Sequence, residues 1–108
     1  VLPTRFRLDA NVQMESWGFT VNEAMALEVP AVTTTAVGSG FDLIVDGLTG
    51  GLAVAGDENS LSEKINFIIE NNEDNKIGKE ARKHLLKTCN YDDNLKAYEN
   101  IIKKVLDE

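Results

Sequence analysis

Pro30 divides the chain between two kinds of structure. Before it, Ala24-Met25-Ala26-Leu27 suits a helix, and the proline forbids that helix to continue. After it, Ala31-Val32-Thr33-Thr34-Thr35 is a β-branched run suited to a strand. The helix traces back to Phe19 or Thr20, behind Gly18, so this stretch predicts loop, helix, turn and strand in succession. That order is half of a parallel β-α unit.

The rest of the chain repeats the alternation. Val1-Leu2-Pro3-Thr4 reads as a short buried strand. Residues 5 to 18 have neither a period of 2 nor one of 3.6 and predict a long polar loop, a length often tied to function. Gly38-Ser39-Gly40 predicts a turn and Phe41 to Val45 a short helix ending at Asp46-Gly47. Thr49-Gly50-Gly51 is a second turn and Gly51 to Ala55 a third strand. Ser60-Leu61-Ser62-Glu63 forms a capping box that opens a helix with Leu61, Ile65, Ile68 and Ile69 inward. A further helix spans residues 76 to 88, with Ile77, Ala81, Leu85 and Leu86 inward. The last runs from Asp92 to Leu106 with Leu95, Tyr98, Ile102 and Val105 on one side. The sum is one α/β domain over residues 1–108, a Rossmann-like parallel sheet of about three strands with helices on both faces.

Composition narrows the ligands. A net charge of −7 argues against nucleic acid, which calls for a basic face. It leaves room for an anionic small molecule, which answers to local amides and dipoles. The single cysteine, Cys89, permits no internal disulfide and suits a reducing, cytoplasmic setting. No apolar run is long enough for a membrane span. The opening Val1-Leu2-Pro3 reads as if the cut fell within a longer protein, and the strand edge it leaves predicts self-association.

In parallel sheets ligands bind beyond the carboxyl ends of the strands. This rule brings the 5–18 loop, the 36–40 turn and the 56–59 turn to one rim. On it, Glu15-Ser16-Trp17-Gly18-Phe19-Thr20-Val21-Asn22-Glu23 sets two acids around a glycine and a helix start. The free amides from Phe19 to Val21 make a phosphate seat, and Gly18 lets a ligand approach closely. Glu15 can project over the seat, and Glu23 can accept bonds from paired hydroxyls such as those of a ribose. Such a set suits a diphosphate flanked by two sugars. Plainer readings stand beside it. Thr20-x-x-Glu23 is also a capping box, Glu15 a solvated loop acid, and Gly38 and Gly47 turn formers. Trp17 serves equally as a sugar platform or a loop anchor, and Asp42 as a helix charge complement. His84 reads as a boundary residue and Cys89 as a small apolar filler.

The Glu15 to Ala26 stretch resembles the E-x7-E segment of retaining glycosyltransferases, notably the large family 4, which have the GT-B architecture of two Rossmann-like domains. The resemblance runs on through Pro30-Ala31-Val32 and Val37-Gly38-Ser39 to Asp42-Leu43-Ile44. It closes at Asp46-Gly47-Leu48-Thr49-Gly50, which is similar to the family's D-G-x-T-G turn. It implies the donor-binding, C-terminal part of an enzyme that moves a hexosyl group from a nucleotide diphosphate sugar to a glycan, lipid or polysaccharide precursor. In that reading Glu15 is catalytic, facing the donor hexose. Gly18, Phe19, Thr20 and Glu23 bind the donor, Glu23 at the ribose and the amides of Phe19 and Thr20 at the diphosphate or sugar. No cofactor and no obligatory metal are implied. The implied partners are the donor and an acceptor domain on the same chain, with peripheral membrane association of the parent and no nucleic acid. An upstream basic pair and the acceptor domain lie outside these residues, so the chain alone is expected to be inactive. The alternatives are another GT-B enzyme, such as a nucleotide-sugar epimerase or a phosphorylase-like protein, and a non-catalytic α/β interaction module. Two departures stand out: Glu28-Val29 where the family has a small residue and a glycine, and Ser39-Gly40 in place of Gly-Gly.

Overall fold

A computed structural model describes residues 1–5 and 15–107. In chain order the elements are α1 (Phe19–Ala26), β1 (Ala31–Thr34), α2 (Gly38–Leu43), β2 (Gly50–Ala53), α3 (Glu58–Asn71), a 3-10 turn (Glu73–Asn75), α4 (Lys76–Thr88) and α5 (Tyr91–Leu106). The strands β1 and β2 pair in parallel, Ala31 beside Gly50 through Thr34 beside Ala53. The predicted first strand shrinks to one parallel bridge, Leu2 to Thr33, on the other side of β1. The Leu2 amide donates to the Val32 carbonyl at 2.9 Å, and Thr33 Oγ1 donates to the Leu2 carbonyl at 3.2 Å. Thr34 Oγ1 donates likewise to the Thr4 carbonyl. The β-branched run therefore adds side-chain ties to its strand propensity.

All four residues of β1 are buried although neighbours along a strand point to opposite faces, so both faces of the sheet are covered. Two adjacent glycines of β2 show what covers them. A Cβ on Gly50 would meet the Ala31 carbonyl oxygen at 2.3 Å and Ile44 on one face. One on Gly51 would meet Lys64 of α3 on the other. The core joins Val21 and Met25 of α1, Ala31, Val37, Leu43 and Ile44, and Ala81 and Leu85 of α4. Ile77, Ala81 and Leu85 are inward as their spacing predicts, whereas Leu86 is exposed. In α3, Leu61, Ile65 and Ile68 are partly covered and Ile69 is exposed.

Three boundaries move for local reasons. The helix expected from Phe41 starts at Gly38, because Val37 is the last extended residue and the Gly40 amide turns back to the Val37 carbonyl. The capping box expected at Ser60 is displaced one turn. Asp57 caps α3 by accepting from the Ser60 amide at 3.0 Å, while Ser60 Oγ accepts from the Val54 amide, tying the helix start to the end of β2. Cys89 is exposed rather than a filler, because α4 ends at Thr88 and the chain leaves the body there.

The α1–β1 turn is unusual. The Glu28 amide donates to the Met25 carbonyl and the Val29 amide to the Ala24 carbonyl, a Schellman ending whose left-handed position is held by Glu28 at φ 59°. Asn75 Nδ2 donates to the Glu28 carbonyl, and Gly78 packs so closely that a Cβ there would lie 2.1 Å from that oxygen.

Candidate donor-binding site

The chain from Glu15 to Gly18 is stitched to the 36–40 turn by main-chain atoms. The Glu15 amide donates to the Ala36 carbonyl at 3.0 Å, and its carbonyl accepts from the Gly38 amide at 3.0 Å. The Trp17 carbonyl accepts from the Ser39 amide at 2.8 Å, and the Gly18 carbonyl from Ser39 Oγ at 3.3 Å. Ser39 is fully buried, so its hydroxyl is a latch with no competing water. A Cβ on Gly38 would stand 2.0 Å from the Ser16 carbonyl oxygen, so the glycine is required for the two segments to meet. The convergence expected from strand polarity is thus a set of named hydrogen bonds. Residues 6–14 of the long loop, Arg7 among them, lie outside the described residues.

Gly18 begins α1 in the left-handed region, φ 82° and ψ 70°. It is buried, and a Cβ there would meet Val37 at 2.8 Å and Leu2 at 3.1 Å. The missing side chain makes room for the core. Packing and the left-handed backbone each require a glycine here, whatever approaches its main chain.

Among the described residues, no side chain caps α1. Thr20 and Glu23 are both exposed, so the capping-box reading of Thr20-x-x-Glu23 is not realised. The Val21 amide turns back to the Gly18 carbonyl at 3.0 Å, and those of Phe19 and Thr20, in the first turn, have no intrahelical acceptor. They carry the positive end of the helix dipole. Glu15 is exposed on the loop before the helix mouth, its Cγ beside Gly18, and Glu23 is exposed one turn inside. The Phe19 ring is 72% exposed. Trp17 is an anchor: its Nε1 donates to Asn22 Oδ1 at 2.7 Å and the indole packs against the core.

The hollows near the rim are shared unequally. One of about 270 Å³ lies between Pro3, Arg5, Thr34, Val54, Asp57 and Leu61, which places Arg5 toward α3. Another, beside Phe19, is lined by Cys89, Asn90, Tyr91 and Asn94. Neither is lined by Glu15 or Glu23. Asp46 and Gly47 face α3 rather than the helix mouth: Asp46 pairs with Lys64 and accepts from the Leu52 amide at 3.0 Å. Partial burial raises the Asp46 carboxyl, but the Lys64 and Leu52 hydrogen bonds and the lysine's charge outweigh it and hold the group below its ordinary range. His84 is half-buried, as a boundary residue should be.

Residues 6–84 match the family described as Glycosyl transferases group 1. The chain belongs to that family. Several solved structures share the fold. Sucrose-phosphate synthase from Thermosynechococcus elongatus superposes with a TM-score of 0.70 at 23% identity, over 86% of this chain and 23% of its own. HepE of Anabaena in complex with UDP-glucose gives 0.65 at 23% identity, over 89% of this chain and 26% of its own. HepE with UDP alone gives 0.66. The chain therefore spans about a quarter of the length of these glycosyltransferase structures. No curated protein sequence matches it. The likeness fixes the architecture: this is a small parallel α/β unit of the GT-B kind.

Gly38 and Ser39, read from the sequence only as part of a turn on the rim, are the residues that latch the helix mouth. The signal was visible, since Gly38-Ser39-Gly40 lies on the predicted rim, but a turn was all its composition could announce.

Proposed function

We propose that this chain is the donor-side part of a retaining hexosyltransferase and that α1 receives the diphosphate of a nucleotide sugar. The observation that carries the reading is the latched helix mouth: two outward amides, at Phe19 and Thr20, between two exposed carboxylates. Membership in a glycosyl transferase family supports it, as does a fold shared with HepE, whose structures hold UDP and UDP-glucose.

In this reading Glu23 accepts from the ribose hydroxyls and Glu15 faces the hexose. As the bond from the sugar's anomeric carbon to the diphosphate oxygen breaks, charge grows on the leaving diphosphate. The Phe19 and Thr20 amides and the α1 dipole lie where they oppose that charge without moving. An acceptor hydroxyl takes the anomeric carbon, and its proton leaves with the diphosphate. The chain's own charge of −7 repels the donor at long range, so binding rests on this local cluster. No metal is required by the scheme. The acceptor-binding part belongs to the rest of the parent, and the chain by itself binds without turning over.

Titration of the 108-residue chain with UDP, GDP, ADP and their glucose conjugates, followed by amide NMR, tests the reading. Shifts should centre on Phe19 to Glu23 with at least one nucleotide. Glu23→Gln should weaken nucleotide and nucleotide-sugar binding alike, about tenfold, the loss of one charged hydrogen-bond acceptor. Glu15→Gln should weaken only the sugar conjugate. Shifts confined to other elements, or none with the whole panel, would overturn it.

A further inference from the structure

Helix α4 carries charges that its own stability argues against. Lys76, Lys79, Arg82, Lys83 and Lys87 oppose a single acid, Glu80, a local charge of +4 in a chain of −7. Lys76 opens the helix and Lys79 follows within its first turn, at the positive end of the dipole; only Lys87 complements the negative end. Lys79, Lys83 and Lys87 stand at steps of four, which sets like charges side by side. At 3.6 residues per turn the five cations and Leu86 fall opposite Ile77, Gly78, Ala81 and Leu85, the buried side. All five cations are exposed, while Glu80 and His84 are half-buried at the border of the face. Among the described residues no acid pairs with any of the five. Helix α5 differs: it is exposed along its whole length, but its three lysines and three acids cancel.

Two apolar side chains border the cationic face. Arg82 Nη1 donates to the Ala26 carbonyl at 3.1 Å, at the end of α1 where Leu27 is 75% exposed. Leu86, one turn beyond Arg82, is 57% exposed. We infer that this face of α4 is a docking surface for an anionic lipid bilayer. The choice of partner follows from solvation. A packed protein surface, whether another molecule or the rest of the parent, would have to dehydrate five cations that this side leaves unpaired. A headgroup layer supplies anions, keeps the lysines wet and lets both leucines enter its acyl border. A nucleic-acid backbone would answer the charges and leave the leucines idle. The Debye length is about 8 Å at physiological ionic strength, so acids elsewhere on the chain weaken the attraction without cancelling it at contact. Leu27 and the mouth of α1 lie at opposite ends of that helix, which keeps this surface separate from the proposed donor site.

Co-sedimentation of the 108-residue chain with vesicles tests the inference, using phosphatidylcholine alone and phosphatidylcholine mixed with phosphatidylserine. The chain should bind the mixed vesicles and not the neutral ones, and raised salt should release it. Lys79→Gln combined with Lys83→Gln should weaken binding about twentyfold, the product of two single-charge losses. Leu27→Ser combined with Leu86→Ser should weaken vesicle binding while retention on heparin, a polyanion without lipid, stays unchanged. These four side chains are exposed, so amide NMR should show the same fold in both variants. Failure to bind mixed vesicles at low salt overturns the proposal, as does equal binding to neutral ones. Binding that survives loss of both lysines would place the contact on another face. Leucine variants that bind vesicles undiminished would make the face a general polyanion site and overturn the assignment to lipid.

Discussion

Glu28 shows how one residue can be at odds with the turn it completes. A Schellman ending wants glycine at its left-handed position, and a Cβ there costs on the order of 1–2 kcal/mol. Glu28 sits at φ 59° with its carbonyl pinned by Asn75 and wedged against Gly78, so the turn cannot relax. Glu28→Gly should therefore stabilise the chain by about 0.5–1 kcal/mol, after the entropy of the extra glycine in the unfolded chain is subtracted. Urea unfolding should show a higher midpoint at unchanged slope. Residue types also show what a sequence can and cannot reveal. The acids at 15 and 23 announce themselves by spacing. The purpose of Gly18 does not, because its neighbours Val37 and Leu2 come from distant parts of the chain.

At the scale of elements the alternation of helix and strand was legible, and so were the inward positions Ile77, Ala81 and Leu85 of α4. What escaped were starts and ends. The α2 helix begins on two glycines and a serine because the chain must turn just after Val37, which bridges Glu15 beyond the end of β1, a demand of tertiary contact and not of propensity. The α3 cap moved to Asp57 because Ser60 is occupied by the Val54 amide. Between β2 and α3, the Asp46–Lys64 pair ties the D-G-x-T-G turn to the helix beyond the sheet. Since the folded state holds the Asp46 carboxyl below its ordinary range, its contribution is present above about pH 4 and lost as pH falls through the depressed value. Both partners are partly solvated, so the effect is small and screened by salt. Asp46→Asn should flatten the acid limb of stability measured between about pH 5 and pH 2, and added salt should shrink the difference between the two proteins.

For the molecule as a whole, the rim rule brought residues 15–18 beside the 36–40 turn from strand order alone, as the hydrogen bonds of Glu15, Trp17 and Gly18 show. The sequence could not disclose that α5 stands apart, because its apolar spacing looks the same whether the partner is the body or something else. The body does not depend on it. A chain ending at Asn90 should unfold with the same midpoint, within about 0.5 kcal/mol, the range expected for changes that leave buried contacts alone. Thermal and urea melts of the two lengths would check this at a concentration low enough to keep both monomeric.

The Ser39 latch has a consequence for how this surface could be altered. Because carbonyls, amides and one hidden hydroxyl hold the mouth of α1 in place, its geometry is indifferent to the outward side chains at 15, 19, 20 and 23. If the proposed donor site is right, those four positions can be exchanged to change what is admitted while the scaffold beneath them keeps its shape, so selectivity there is separable from folding.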